Sequence, residues 1–356
     1  MRNIIKIVIV MFTSITLFSS ANAGELTVTG SAKATYNIVS GFATQSKGVG
    51  VTNEFNLGAN GELDNGYTWN YKIAMDPDNT AGGTAGEVQN DDTSLTLTTP
   101  YGTLGAFSKT GALDVEDAAS QSVYGRPTDI GDPSATVDNF TIDGYNNLQY
   151  HLPTDLLPFE VSAKVAYAPG LDATQNSGNA TGVATTKSAT NMGDSATEYQ
   201  LSMVPVEGAK IGASYIEFKN SGSGVISASK QEPKSGAAYI KYATGPVSLG
   251  LSMGRRDNLL SGATIADGTV EWYDQTNVSV AYNVNDALSV SAEIETSETN
   301  KVSITDSEVE QKTTGVQAAY TMGGMTLALS YAKHDNNGYV NNADANQTLL
   351  AVSMAF

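Results

Sequence analysis

The sequence predicts an all-β chain: a transmembrane antiparallel barrel of sixteen strands, with short turns at one end and long loops at the other. Three observations carry that prediction. Extended runs alternate apolar and polar residues with period two, and the breaks between runs alternate between short and long. After residue 23, no stretch is apolar for the ~18 residues that a membrane helix requires. Lipid offers no partners for unpaired backbone groups, so a chain without such helices can cross only as a sheet closed on itself.

The first element reads as a leader for export. Arg2 and Lys6 supply positive charge, Ile4 to Phe18 is mostly apolar, and Ala21-Asn22-Ala23 sets small residues before Gly24. Residues 1–23 are therefore expected to be a signal peptide and 24–356 a single barrel domain.

The strands follow. Leu26, Val28, Gly30, Ala32, Ala34 and Tyr36 alternate with Thr27, Thr29, Ser31, Lys33 and Thr35. The pattern returns in Tyr67-Trp69-Tyr71-Ile73-Met75, in Phe159-Val161-Ala163-Val165-Tyr167, in Val247-Leu249-Leu251-Met253 and in Leu288-Val290-Ala292-Ile294. Only one face of each strand meets lipid, so a hydrophobic fraction of 40% suffices. Short breaks rich in Gly, Pro, Asn and Asp fall at 64–66, 99–102, 153–158, 205–208, 244–246, 283–287 and 321–324. Long polar ones fall near 39–50, 77–90, 111–143, 169–195, 220–234, 257–268, 298–308 and 336–345. Seven short and eight long breaks make fifteen connections and hence sixteen strands. In outer-membrane barrels the short turns are periplasmic and the long loops external.

Charge narrows the function classes. With 19 Lys+Arg against 37 Asp+Glu, the chain carries −18 and lacks the basic face that nucleic acid demands. Removing the leader with Arg2 and Lys6 leaves 17 against 37. There is no cysteine, hence no disulfide or thiolate metal site. The two histidines, His151 and His334, lie far apart, and no phosphate loop, zinc motif or nucleophile elbow occurs, so no enzyme is expected.

The last nine residues, Thr348 to Phe356, put Leu350, Val352, Met354 and Phe356 on one face of a strand ending in an aromatic ring. That ending looks like the C-terminal strand of bacterial outer-membrane proteins. Thr99-Pro100-Tyr101-Gly102-Thr103-Leu104-Gly105 is similar to a recurring turn into the fifth strand. On these features the mature chain resembles the Gram-negative general porin family. The resemblance implies a homotrimeric outer-membrane channel for ions and small hydrophilic solutes, and a Phe356 read by the barrel-insertion machinery. It also implies that the third long loop, approximately 111–143, folds inward and sets its acids against a basic wall. Porins often carry Gly-Arg near the end of the fifth strand; here Phe107-Ser108-Lys109 stands in that place.

The candidate acids of the constriction are Asp114, Glu116, Asp117, Asp129, Asp132 and Asp138, against a single Arg126 in the loop. Strand parity points Lys33, Lys72, Lys164, Lys241 and Arg256 inward, and Lys109 ends the fifth strand. The excess of acid predicts a weak preference for cations. Asp114, Glu116 and Asp117, and also Asp306, Glu308 and Glu310, supply oxygen clusters of a kind Ca²⁺ accepts, although solvated loop charge is the preferred reading of both and no EF-hand spacing is present. Most tyrosines take the apolar parity and suit interfacial girdles; Tyr239 and Tyr273 take the inward one. The competing readings are a pore selective for one nutrient class and a surface adhesin. The loops, rich in Gly, Ser, Thr, Asn and Asp, lack the aromatic anchors the second requires.

Overall fold

The computed structural model describes residues 24, 26–41, 46–76, 89–130, 137–171, 195–219, 229–261, 265–302 and 308–356. The expected leader, Asp132 and Asp306 lie outside the described residues, as do most of the loops expected at 77–90, 169–195 and 220–234.

Sixteen strands close into one antiparallel barrel. They are β1 (Leu26–Gly41), β2 (Ser46–Glu62), β3 (Thr68–Asp76), β4 (Gln89–Thr99), β5 (Gly102–Ser108) and β6 (Asn147–His151). Next come β7 (Ser162–Ala168), β8 (Ser195–Val206), β9 (Ala209–Lys219), β10 (Lys234–Thr244) and β11 (Val247–Asp257). The last are β12 (Val270–Asn283), β13 (Leu288–Lys301), β14 (Glu310–Met322), β15 (Met325–Asp335) and β16 (Ala345–Ala355). Each pairs with its neighbours in sequence, and β16 returns to β1. Two short segments, Ser229–Gln231 and Leu260–Ser261, form a separate ribbon between external loops.

Closure is made by the chain end itself. The Gly30 amide donates to the Phe356 carbonyl at 2.8 Å and the Phe356 amide returns to the Gly30 carbonyl at 3.0 Å. The Phe356 ring meets Phe55 edge-on, centroids 5.9 Å apart. A side chain at Gly30 would collide with that ring, so the position needs glycine for close approach.

Alternation sets the two faces. Val49, Val51, Leu95, Ile240, Leu329 and Leu350 are exposed on the outside, whereas Ser279, Ser291, Gln317 and Gln347 are buried on the inside. Sixteen strands enclose more space than their own side chains fill, which leaves a lumen.

The alternation of breaks departs from expectation at its first member. Residues 39–50, expected as a long loop, are mostly strand: β1 runs to Gly41, β2 starts at Ser46, and Val39 pairs with Ser46. The physical reason is that Tyr36, Ile38, Val49 and Val51 retain the outward period two among the glycines and serines, and backbone pairing needs no apolar partner on the inner face. Likewise 298–301 continue β13 beyond the expected break.

A loop folded into the barrel

β5 ends at Ser108, one residue before Lys109, which takes a left-handed conformation (φ 55°) together with Gly111 (φ 89°) and turns the chain into the lumen. The segment between β5 and β6 then lines the inside of β8 to β16 as two passes.

The outward pass is the deeper one, nearer the short turns. Gln200 Nε2 of β8 donates to the Leu113 carbonyl at 2.9 Å, and the Val115 amide donates to Ser214 Oγ of β9 at 3.1 Å. On β11, Ser252 Oγ donates to the Glu116 carbonyl at 2.8 Å. Ser279 of β12 receives the Gln121 amide and donates to the Ala119 carbonyl, both at 3.0 Å. The Val123 amide reaches Ser291 Oγ of β13 at 3.0 Å, and Gln317 of β14 holds the Tyr124 amide at 3.1 Å and the Gly125 carbonyl at 2.7 Å. The return pass lies nearer the long loops. Thr128 Oγ1 donates to Glu295 of β13 at 3.2 Å, and Gln347 of β16 donates to the Ile130 carbonyl at 2.6 Å. Gln275 of β12 bonds the Val137 carbonyl. The Phe140 amide meets Ser235 Oγ of β10 at 2.8 Å, and the Ile142 amide meets Glu198 of β8 at 2.9 Å.

Apolar contacts explain why the loop stays. Leu113, Phe140 and Ile142 are buried against Ala166, Ala168, Ala196, Ile216 and Phe218, so the inner face of β7 to β9 is apolar where the loop covers it. Val115 and Ala119 pack on Ala237 and Tyr239; Val123 and Tyr124 reach Ala319, Ala328, Leu349 and Ala351. Each large side chain buried there contributes about 1.5–3 kcal/mol. Tyr239, read as an inward ring, is thus a support for the loop. Tyr273, the other inward ring, lies against Tyr339, centroids 5.2 Å apart.

Arg126 sits where the passes meet. Its guanidinium pairs with Glu116 at 3.4 Å and with Asp117 on the outward pass, with Asp129 at 2.9 Å and Asp138 at 2.6 Å on the return, and with Glu295 of the wall at 3.5 Å. The Arg126, Glu116 and Glu295 side chains are each 5% exposed, whereas Asp117, Asp129 and Asp138 expose 55, 39 and 59%. One cation therefore cross-links both passes and the wall, and three carboxylates face the lumen. Burial pushes Glu116 up from the usual carboxylate range, more than Arg126 pulls it down. Asp117 rises to about 7, through loss of hydration first, opposed by Arg126, and then through the crowding of Asp129 and Asp138. Asp114 lies apart from this knot; burial and then the neighbouring Asp143 raise it.

The basic candidates divide. Lys33 stands opposite Thr52 and Ser353, and Lys72 opposite Gly58 and Ser94, on the inner face of the strands the loop leaves bare. Lys109 is exposed at the loop's root. Lys164 and Lys241 lie toward the short-turn ends of β7 and β10. Arg256 departs from the expected opposing wall. It donates to the Asp138 carbonyl at 2.6 Å and lies 4.0 Å over the Phe140 ring, so it seats the loop from behind. Parity gives the face of a strand and cannot say whether the loop covers it. Among the described residues no group of three or more Asp, Glu, His or Cys has a metal-holding arrangement: Glu116 and Asp117 are engaged by Arg126, and Glu308 accepts from Asn300 at 2.9 Å. Glu198, Glu293, Glu295 and Lys210 are not among the residues the sequence singles out. The available signal is that Glu293 and Glu295 alternate with the outward Ile294, and that Lys210 takes the parity opposite to the outward Tyr215.

Comparison with known proteins agrees with this architecture. No curated protein matches the sequence. Among solved structures, the outer membrane channel DcaP of Acinetobacter baumannii superposes with a TM-score of 0.66 at 12% identity, over 95% of this chain and 99% of that one. OmpF of Salmonella typhi gives 0.63 at 14%, over 94% and 98%. The trimer form of OmpT of Vibrio cholerae gives 0.62 at 13%, over 94% and 100%. The family model of Gram-negative porins matches residues 12–306 and 236–356, and with an inward loop inside a closed barrel of sixteen strands the chain belongs to the Gram-negative porins.

Proposed function

We propose that this porin is a passive diffusion channel for ions and small hydrophilic solutes, weakly selective for cations and acting as a homotrimer. One observation carries the reading: the loop is bonded to β8 to β16, so the bore runs beside β1 to β6, with Asp117, Asp129 and Asp138 exposed on its loop side. Lys33 and Lys72 face it from the bare wall, among Thr52, Glu54, Asn56 and Asn70. Opposed charges across a wet aperture orient dipolar solutes and disfavour apolar ones, which cannot replace the ordered water. The excess of exposed carboxylate favours cations. The remaining roles belong to the same reading: by sequence Asp114, Glu116 and Asp132 are part of the acidic loop and Lys109 of its root, Lys164 and Lys241 are part of the basic lining, and Arg256 holds the loop rather than opposing it. Trimerisation is supported by the trimer form of the Vibrio cholerae protein. Export by residues 1–23, residence in outer-membrane lipid, and recognition of the exposed Phe356 ring by insertion machinery complete the proposal.

The test is single-channel conductance of the refolded protein in a planar bilayer under a salt gradient. Three equal conductance steps with a cation-directed reversal potential are expected. No conductance overturns the open-channel reading, and an anion-directed potential overturns the weight given to the loop carboxylates.

A further inference from the structure

We infer that the pore holds a binding station for small polyvalent anions on the short-turn side of the loop, formed by Lys164, Lys210 and Lys241. The inference rests on the open-channel reading and adds a solute class to it.

Register places the three side chains. Lys210 and Lys241 stand directly opposite each other across β9 and β10. Lys164 of β7 is in electrostatic reach of Lys210, as is Lys241. All three share the inner face: Lys210 alternates with the outward Tyr215, Lys241 lies between the outward Ile240 and Tyr242, and Lys164 stands opposite Gln200. The same register fixes their depth. Gln200 holds the Leu113 carbonyl, and Gly250, directly opposite Lys241, receives the Ala119 carbonyl so closely that a Cβ there would run into it. The lysines therefore lie along the deep edge of the loop, each close to the short turn of its own hairpin.

Two features mark a ligand site. Like charges directly opposite on neighbouring strands destabilise a sheet, so the Lys210–Lys241 pair is a structural cost. None of the three forms an ion pair with a carboxylate among the described residues, although each is half-buried and the chain has 37 acidic residues to offer. The acids of the loop are spent on Arg126 instead. Two ammonium groups paired across neighbouring strands, with a third in electrostatic reach on the same inner face, suit a compact dianion or trianion such as phosphate or a small polycarboxylate. His151 stands opposite Lys164, and the Tyr239 ring is next on the same face of β10. An anion entering from the short-turn side meets the lysines before the carboxylates, and one entering from outside meets the carboxylates first.

The experiment is single-channel current in KCl with inorganic phosphate added to one compartment at a time, for channels inserted in one orientation. The expected result is side-dependent block, about tenfold stronger from the short-turn side, lost in the K210Q/K241Q double variant and retained in K210R/K241R. KCl conductance with no sidedness in the wild type overturns the station while leaving the channel reading intact, and so does sidedness that survives K210Q/K241Q. Absence of KCl conductance overturns both. Should the double variant fail to fold, Lys164→Gln is the substitute, and block that is unchanged in it counts against the station.

Discussion

Replacing Arg126 with glutamine tests the construction of the constriction most directly. The substitution removes one positive charge from a knot of five carboxylates and keeps a hydrogen-bonding amide in its place. For an ion passing about 5 Å away in water, one unit charge is worth about 0.8 kcal/mol; screening at 0.1 M salt reduces that to about 0.5 kcal/mol. The cation gains and the anion loses that much, so the cation-to-anion permeability ratio should rise by roughly fivefold at 0.1 M and by less than about twofold at 1 M, read from the reversal potential under a KCl gradient. The gain should be largest near pH 9. Without the guanidinium, Glu116 and Asp117 hold their protons to higher pH, so the difference shrinks as pH falls toward 6. Two of the carboxylates in the knot, Glu116 and Glu295, are buried, and removing the cation from such a buried pair costs about 3–5 kcal/mol. That cost falls on the loop, whose wall bonds flank Arg126 on both sides, so protease should cut near residues 126–138 while the barrel keeps its resistance to detergent and heat. An unchanged or lower cation preference at pH 9 and low salt would refute the idea that this knot faces the ion path.

Three further outcomes follow from the same geometry. In the wild type, the share of cation preference that Asp117 supplies should be lost in a step as pH falls through about 7, because Asp117 binds its proton that early. A native pKa above the ordinary 3.8 means that the folded chain holds this proton more tightly than the unfolded one, so the contribution to stability declines as pH rises through the same window. A reversal-potential titration with no step near 7, or a step there that persists in Asp117→Asn, would contradict it. Gly250→Val sets a side chain against the Ala119 carbonyl at a cost of about 1–3 kcal/mol. The ladder of β11 is stiffer than the loop, so the loop lifts into the bore and conductance should fall, with strand content by circular dichroism unchanged. Deleting Phe356 removes two closing hydrogen bonds, each worth about 1 kcal/mol, and an aromatic contact of about 0.5–1.5 kcal/mol. The temperature at which the folded band disappears on a detergent gel should drop, and drop less for Phe356→Ala, which keeps the backbone pair.

The barrel is legible in local pattern alone. Period two separates the lipid face from the lumen face without any knowledge of neighbours, which is why Lys33, Lys72, Lys164 and Lys241 could be turned inward from Tyr36, Tyr71, Val165 and Ile240 alone. Turn residues fixed the strand count, because a tight hairpin needs its Gly, Asn or Pro locally. The first external break is not legible in this way, because the glycines and serines near 39–50 resemble a loop whereas backbone pairing tolerates them. What only the tertiary structure decided is the azimuth of the loop. Its anchors are inward serines and glutamines distant in sequence, such as Gln317 for Gly125 and Gln347 for Ile130, and nothing local distinguishes these from polar residues that merely face water. Arg256 therefore became a seat for Phe140 rather than an opposing charge, and Glu295 joined Arg126 across 169 positions of chain. Strand periodicity is written within a few residues, whereas the placement of charge across a lumen depends on which strands closure brings beneath the loop.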